Sequence, residues 1–180
     1  MAVDFSKSKT RENLMRAFAG ESQARNRYTI AAKQASRDNL YSISQIFLFT
    51  ADQERAHAEV FYELLRGQTE QTIEICGGYP VNLAENVTDL LKSAVHNEMQ
   101  EFEDVYPEFA KIAKEEGFDK IAYLFEAVGK IEKEHEKHII LSRIREIENE
   151  LEDLKQRKYY LEQELSDYNY LLRKERMNNE

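Results

Sequence analysis

Chain breakers and thiols are scarce in this sequence, and each scarcity closes off a class of protein. Only six Gly and two Pro occur among 180 residues, too few for the turns of a many-stranded β fold, so long helices are favoured. Cys76 is the sole cysteine; an intrachain disulfide is impossible, and no Cys-x-x-Cys pair exists to hold zinc or iron. Basic residues are outnumbered, 25 Lys and Arg against 34 Asp and Glu, for a net charge of −9. That balance excludes a phosphate-binding surface of clustered cations, and with it nucleic acid, and it suits a protein that binds cations. Residues 1–20 lack the apolar run of a signal peptide, and nothing approaches the roughly 20 apolar residues of a membrane span. A cytoplasmic protein without membrane partners is expected.

What is present is helical periodicity almost throughout, with apolar residues recurring every three or four positions. Thr10 is placed to cap a first helix running to about Ser36, and the turn Arg37-Asp38-Asn39 leads to a second over about Leu40 to Arg66. One long irregular connection follows, Gly67 to about Leu83. A third helix spans about Ala84 to Glu116, kinked or locally broken near Pro107, and a fourth begins near Phe118 after Gly117. Two tight connections flanking a long one predict an all-α, ferritin-like four-helix bundle, two helix hairpins joined by a crossover.

An internal repeat supports the paired hairpins. A shift of 78 residues brings Tyr28 onto Tyr106, Ala32 onto Ala110, Ala35 onto Ala113, Ile43 onto Ile121 and Phe47 onto Phe125. It also brings Glu54 onto Glu132 and His57 onto His135, so each copy carries Glu-x-x-His. At 3.6 residues per turn the carboxylate and imidazole share a helix face, and this pair is the ligand pattern of di-iron bundles. The other helix of each hairpin should add a carboxylate. Glu21 sits mid-helix among the small residues Ala17, Ala19, Gly20 and Ala24. Glu98 lies 77 residues on, one off the repeat, and Glu101 follows a turn later on the same face. The candidate metal ligands are therefore Glu21, Glu54, His57, Glu98, Glu101, Glu132 and His135. So many carboxylates cannot stay ionised in a core without cations. Oxygen and imidazole ligands without thiolate point to two iron ions, with manganese or zinc as substitutes. Tyr28 and Tyr106, equivalent in the repeat, are expected to hydrogen-bond ligand carboxylates. His96 and His138 are read as surface residues.

Residues from about Thr10 to Leu141 resemble the erythrin domain of the rubrerythrin family. The resemblance is carried by Ala17-Phe-Ala-Gly-Glu-Ser-Gln-Ala-Arg-Asn-Arg-Tyr28, by Thr50-Ala-Asp-Gln-Glu-Arg-Ala-His57, by Tyr106-Pro-Glu-Phe-Ala-Lys-Ile-Ala-Lys-Glu-Glu-Gly-Phe118 and by Glu132-Lys-Glu-His135. It implies a non-haem di-iron peroxidase that reduces hydrogen peroxide to water in oxidative-stress defence. Glu54 and Glu132 would bridge the irons, with Glu21 terminal on one and Glu98 and His135 on the other. Glu101 resembles the family's extra carboxylate, which exchanges with a histidine, here His57, as one iron changes oxidation state. Glu101, His57, Tyr28 and Tyr106 are thus the catalytic candidates. Rubrerythrins usually continue into a rubredoxin domain with four iron-binding cysteines, which this sequence lacks, so an external donor such as a rubredoxin-like protein is implied. A ferroxidase or iron-handling protein, and a coiled-coil assembly protein with a metal-stabilised head, are the alternative functions.

Domain boundaries are expected at 1–141 for the bundle and 142–180 for a helical extension. Ile144, Leu151, Lys158, Leu165 and Leu172 alternate with Ile147, Leu154, Leu161 and Tyr168 at strict 3-4 spacing. Assigned to a and d of a heptad, they predict a fourth helix extended into a coiled coil, with a homodimer as the expected assembly.

Overall fold

A computed structural model describes residues 3–178 of the chain, with side chains described through residue 174. Helices α1 (Lys9–Arg37), α2 (Tyr41–Leu64), α3 (Val87–Gln100), α4 (Tyr106–Glu115) and α5 (Asp119–Asn178) carry the fold. A π-helical turn over Glu101–Val105 joins α3 to α4, so these two act as one interrupted bundle helix. Among the described residues there is no strand. Two compact units divide the chain, Met1–Ser142 and Arg143–Glu180. The first is the four-helix arrangement that the connectivity predicts.

Several boundaries differ from the sequence-based expectation for identifiable reasons. Ser8, not Thr10, caps α1: its hydroxyl accepts from the Arg11 N–H at 3.1 Å. Thr10 is already helical and donates its hydroxyl to Glu116 at 2.6 Å. That Glu116 carboxylate also accepts the N–H groups of Lys9 and Thr10 at 2.9 and 2.8 Å. An anion from the far end of the second hairpin thus satisfies the open donors and positive dipole end of α1. Helix α3 starts at Val87 rather than Ala84 because Asn86 caps it, accepting from the Asp89 N–H at 2.9 Å. The local break expected near Pro107 is the π turn over Glu101–Val105, and Pro107 itself sits in the first turn of α4, where its missing N–H costs nothing.

The two hairpin turns are the same motif. At the first, the Leu40 N–H reaches the Ala35 carbonyl at 2.9 Å and the Asn39 N–H the Ser36 carbonyl at 3.2 Å. At the second, Phe118 reaches Ala113 at 2.7 Å and Gly117 reaches Lys114 at 3.1 Å. These are paired helix-terminating bonds around one left-handed residue, with φ of 63° at Asn39 and 87° at Gly117. All four positions are related by the 78-residue shift.

Two apolar clusters fill the bundle. One holds Tyr28, Ala32, Ala35, Ile43, Phe47 and Ile139; the other holds Tyr106, Ala110, Ala113, Phe61, Phe125 and Leu14. The repeat exchanges them: Tyr28 stacks on Phe47 with centroids 6.0 Å apart, and Tyr106 on Phe125 at 6.2 Å. Phe47, Phe61 and Phe125 are wholly buried, each contributing about 1.5–3 kcal/mol by burial. Along every bundle helix the polar site residues fall between these clusters, as Glu21 does between Ala17 and Ala24. The crossover is pinned by Gln23 donating to the Pro80 carbonyl at 3.1 Å and by Arg27 and Asn97 donating to Asn82 at 2.9 and 2.8 Å.

Candidate metal centre

Glu21 and Glu98 come from the first helix of each hairpin, Glu54 and His57 from α2, and Glu132 and His135 from α5. All four carboxylates are at most 2% exposed, and the imidazoles 5% and 3%. Their ligand atoms gather into two overlapping groups: Glu21, Glu54, His57 and Glu132 in one, Glu54, Glu98, Glu132 and His135 in the other. Within each group the atoms lie within 4.8 Å of one another. Donors about 2.1 Å from one ion lie up to about 4.2 Å apart, so each group needs little closure to surround a cation. Glu54 and Glu132 belong to both groups, so each could reach both cations.

Internal geometry is centred on shared points rather than on partner pairs. His57 Nδ1 lies 2.9 Å from Glu132 and 3.8 Å from Glu21; His135 Nδ1 lies 2.7 Å from Glu132, 3.4 Å from Glu54 and 3.5 Å from Glu98. Those spacings are of ion-pair length, yet neither nitrogen has a hydrogen bond, and both oxygens of Glu54 and Glu132 with one each of Glu21 and Glu98 also lack partners. A buried polar atom left unsatisfied costs about 1–3 kcal/mol, more when charged. An entire layer of such atoms facing inward fits divalent cations and little else. The imidazoles are near-parallel, their centroids 5.6 Å apart.

The outer oxygens are held by the repeat tyrosines, in crossed fashion. Tyr28 donates its hydroxyl to Glu98 and Tyr106 donates to Glu21, so each hairpin's tyrosine orients the other hairpin's carboxylate. Outer partners of this kind fix ligand orientation. Burial, then the adjacent carboxylates, pushes both phenols well above their ordinary range.

In the protein alone the carboxyls repel. Burial first, then neighbouring negative charge, raises Glu54 and Glu132 well above the usual carboxylate range. Burial also acts upward on Glu21, but the neighbouring Glu54 and His57 groups and the Tyr106 hydroxyl outweigh it and leave Glu21 lowered. His135 is raised to about 9: burial opposes its charge, and Glu132 and Glu98 overcome that opposition.

Glu101 stands outside both groups, although the sequence reading counted it among the ligands. It opens the π-helical turn and is half-buried. With Glu21, Tyr79, Arg27 and Tyr106 it lines a cavity of about 150 Å³ beneath the crossover. Burial, then Glu21 and Glu98, raises its carboxyl well above the ordinary range, and Arg27 acts against that shift. The π turn explains why Glu98 is one residue off the repeat. Seven residues separate Glu21 from Tyr28 and eight separate Glu98 from Tyr106; the wide turn absorbs the additional one. Sequence reasoning missed Arg27, Asn82 and Asn97, whose network ties the crossover to the site, because their pairing spans the irregular connection. His96 and His138 are exposed, His138 meeting Phe49 edge-on, and exposed Cys76 is remote from the ligands in sequence.

Fold and site together define a ferritin-like helical bundle with a buried carboxylate and histidine centre able to bind metal. The rubrerythrin family model matches residues 12–141. Rubrerythrin-1 of Clostridium acetobutylicum is 47% identical over 132 residues, 72% of this chain and 67% of the relative. Rubrerythrin of Nitratidesulfovibrio vulgaris is 42% identical, over 74% of this chain and 68% of its own length. Rubrerythrin of Porphyromonas gingivalis is 41% identical over 74% and 65%. The chain therefore belongs to the rubrerythrin family, and it spans about two thirds of the length of these relatives. Nigerythrin in its fully reduced, all-ferrous state superimposes with a TM-score of 0.66 at 30% identity, covering 76% of this chain and 69% of that one. An open-pore ferritin from Archaeoglobus fulgidus shares the fold, with a TM-score of 0.65 at 16% identity over 80% and 89%. Among the described residues no helix is long and apolar enough to cross a membrane.

Proposed function

We propose that this protein is a di-iron peroxidase that reduces hydrogen peroxide to water, drawing electrons from an external donor in a reducing cytoplasm. The observation that carries the reading is the pair of ligand groups sharing Glu54 and Glu132, with a further carboxylate, Glu101, at the cavity beside one of them. Two ferrous ions held there would supply the two electrons and the paired Lewis acidity that cleavage of the peroxide bond requires. Glu54 and Glu132 would hold and neutralise both ions, with Glu21 and His57 available to one and Glu98 and His135 to the other. Tyr28 and Tyr106 keep the terminal carboxylates from rotating, each through one hydroxyl. Two apolar clusters flank this layer along the helices and exclude bulk water from it. Glu101 and His57 would exchange roles when the oxidation state changes, as the family resemblance implies. These 180 residues, with one cysteine, cannot themselves form a four-cysteine rubredoxin-type iron site, so the electron-donating site is assigned outside them.

Stopped-flow mixing of anaerobic, ferrous-loaded protein with one equivalent of hydrogen peroxide, followed by near-ultraviolet ferric absorption, tests the assignment. Two irons per chain and oxidation far faster by peroxide than by dioxygen are expected. Oxidation no faster with peroxide would replace the peroxidase with a ferroxidase or iron-handling protein.

A further inference from the structure

The second unit carries an apolar seam that its own chain leaves uncovered. From Arg143 through Lys174 no described residue is buried. Ile144 is 45% exposed, Leu154 63% and Tyr168 69%, with Ile147, Leu151, Leu161, Leu165 and Leu172 likewise exposed. An isolated helix with one apolar stripe gains nothing from that stripe in water. Here the stripe keeps a strict seven-residue period, and that period makes a straight helix wind around a partner helix.

The flanking charges identify the partner. In a parallel, in-register pair, each g residue meets the e residue five positions on in the other helix. The charged meetings are Arg143 with Glu148, Glu150 with Lys155, and Arg157 with Glu162, while Glu164 meets uncharged Asn169. All three are attractive, and by symmetry each forms twice. A second copy therefore supplies the complementary charge at each of these three pairs by symmetry. Arg143 now lies 2.7 Å from Glu146, and Lys155 lies 3.4 Å from exposed Glu152, within the same helix. Such local pairs on a helix surface are weak and readily exchanged. Lys158 at an a position, 76% exposed, is tolerated in a dimer through its long stem and disfavours larger assemblies. We infer that residues 143–174 form a parallel, in-register coiled coil with a second copy of this chain. The inference is independent of the metal chemistry.

Disulfide trapping in the full-length protein tests it, in a Cys76→Ser background. Ile147→Cys chains should oxidise to a covalent homodimer, because parallel d positions face each other within disulfide reach. In the antiparallel register that pairs Ile147 with Leu172, two copies of position 147 lie more than about 30 Å apart. Ile147→Cys chains mixed with Leu172→Cys chains would then cross-link instead, and that result would overturn the parallel assignment. Absence of both products would overturn the coiled coil. Arg157→Glu should lower the Ile147→Cys dimer yield several-fold, and adding Glu162→Arg should restore it; a yield unmoved by the single reversal would refute the charge register.

Discussion

From Glu21 to Tyr28 the first hairpin runs through seven residues of regular α-helix, whereas from Glu98 to Tyr106 the second takes eight and absorbs one in a π-helical turn. Everything else at the site is matched: a carboxylate on the first helix, Glu-x-x-His on the second, a tyrosine crossing to the opposite carboxylate, a ring stacked behind that tyrosine. The matched part is what holding two cations demands, since each ion needs the same donors. The unmatched part brings Glu101 to the cavity beside the first ligand group. Single inserted turns of this type concentrate at functional sites because they re-aim one side chain without dismantling a helix. The comparison separates the donors common to both hairpins from Glu101, which the second hairpin alone brings to the cavity.

The strongest break comes from the residues both groups share. Glu54→Ala and Glu132→Ala should each lower bound iron from two ions per chain to fewer than one, and should do so alike, as metal analysis after loading would show. Peroxide turnover should fall by at least about 10²-fold in either. If one variant kept two ions, the bridging assignment of that residue would be wrong.

Glu101→Gln sharpens the comparison from the other side. Because Glu101 lies outside both groups, iron content should stay at two per chain, while peroxide-driven oxidation slows by roughly 10²-fold, the scale of a lost acid–base or exchanging group. Equal losses of iron and rate would make Glu101 an ordinary ligand.

A smaller effect is expected in the pH dependence of the chelator-treated protein. Glu54 and Glu132 have folded-state pKa values raised above their unfolded ones, so the folded form binds protons more tightly and loses stability as pH climbs out of the carboxylate range. His135 adds stability that is fully present below its ordinary value of 6.5 and lost as pH rises through about 9. Lowered Glu21 works oppositely, only at the acid end. The melting temperature of metal-free protein should therefore fall between about pH 5 and about pH 9. Iron loading should remove most of that fall, because bound metal replaces the proton. A metal-free protein that grows more stable over this range would contradict the burial of the carboxyls.

The least effect belongs to the turns. Gly117→Ala, at φ 87°, should cost about 1 kcal/mol through left-handed strain. Asn39→Gly at the equivalent turn should stay within about 0.5 kcal/mol, since Asn tolerates that region. Denaturant titration reads both.

Much of this architecture is legible in residue order. Helical periodicity and two close connections mark the hairpins, and the Glu-x-x-His repeat marks the face that carries the site. The additional residue of the π turn registers only as the displacement of Glu98 to 77 residues, because helical periodicity tolerates a single insertion without losing its stripe. Long-range polar contacts are invisible to local pattern. Thr10 looks like a cap until Glu116, more than a hundred residues away, takes its hydroxyl. The Asn86 cap and its Asp89 partner do have a local signature, masked by the helix-favouring Ala84-Glu85 before it.

The most direct test of the central claim is Mössbauer spectroscopy of protein loaded with isotopically enriched iron and then oxidised. Two irons per chain in a magnetically coupled, diamagnetic ground state are predicted, because Glu54 and Glu132 link both ions. A spectrum of isolated, paramagnetic ferric ions, or one iron per chain, would contradict the shared-ligand centre on which the account rests.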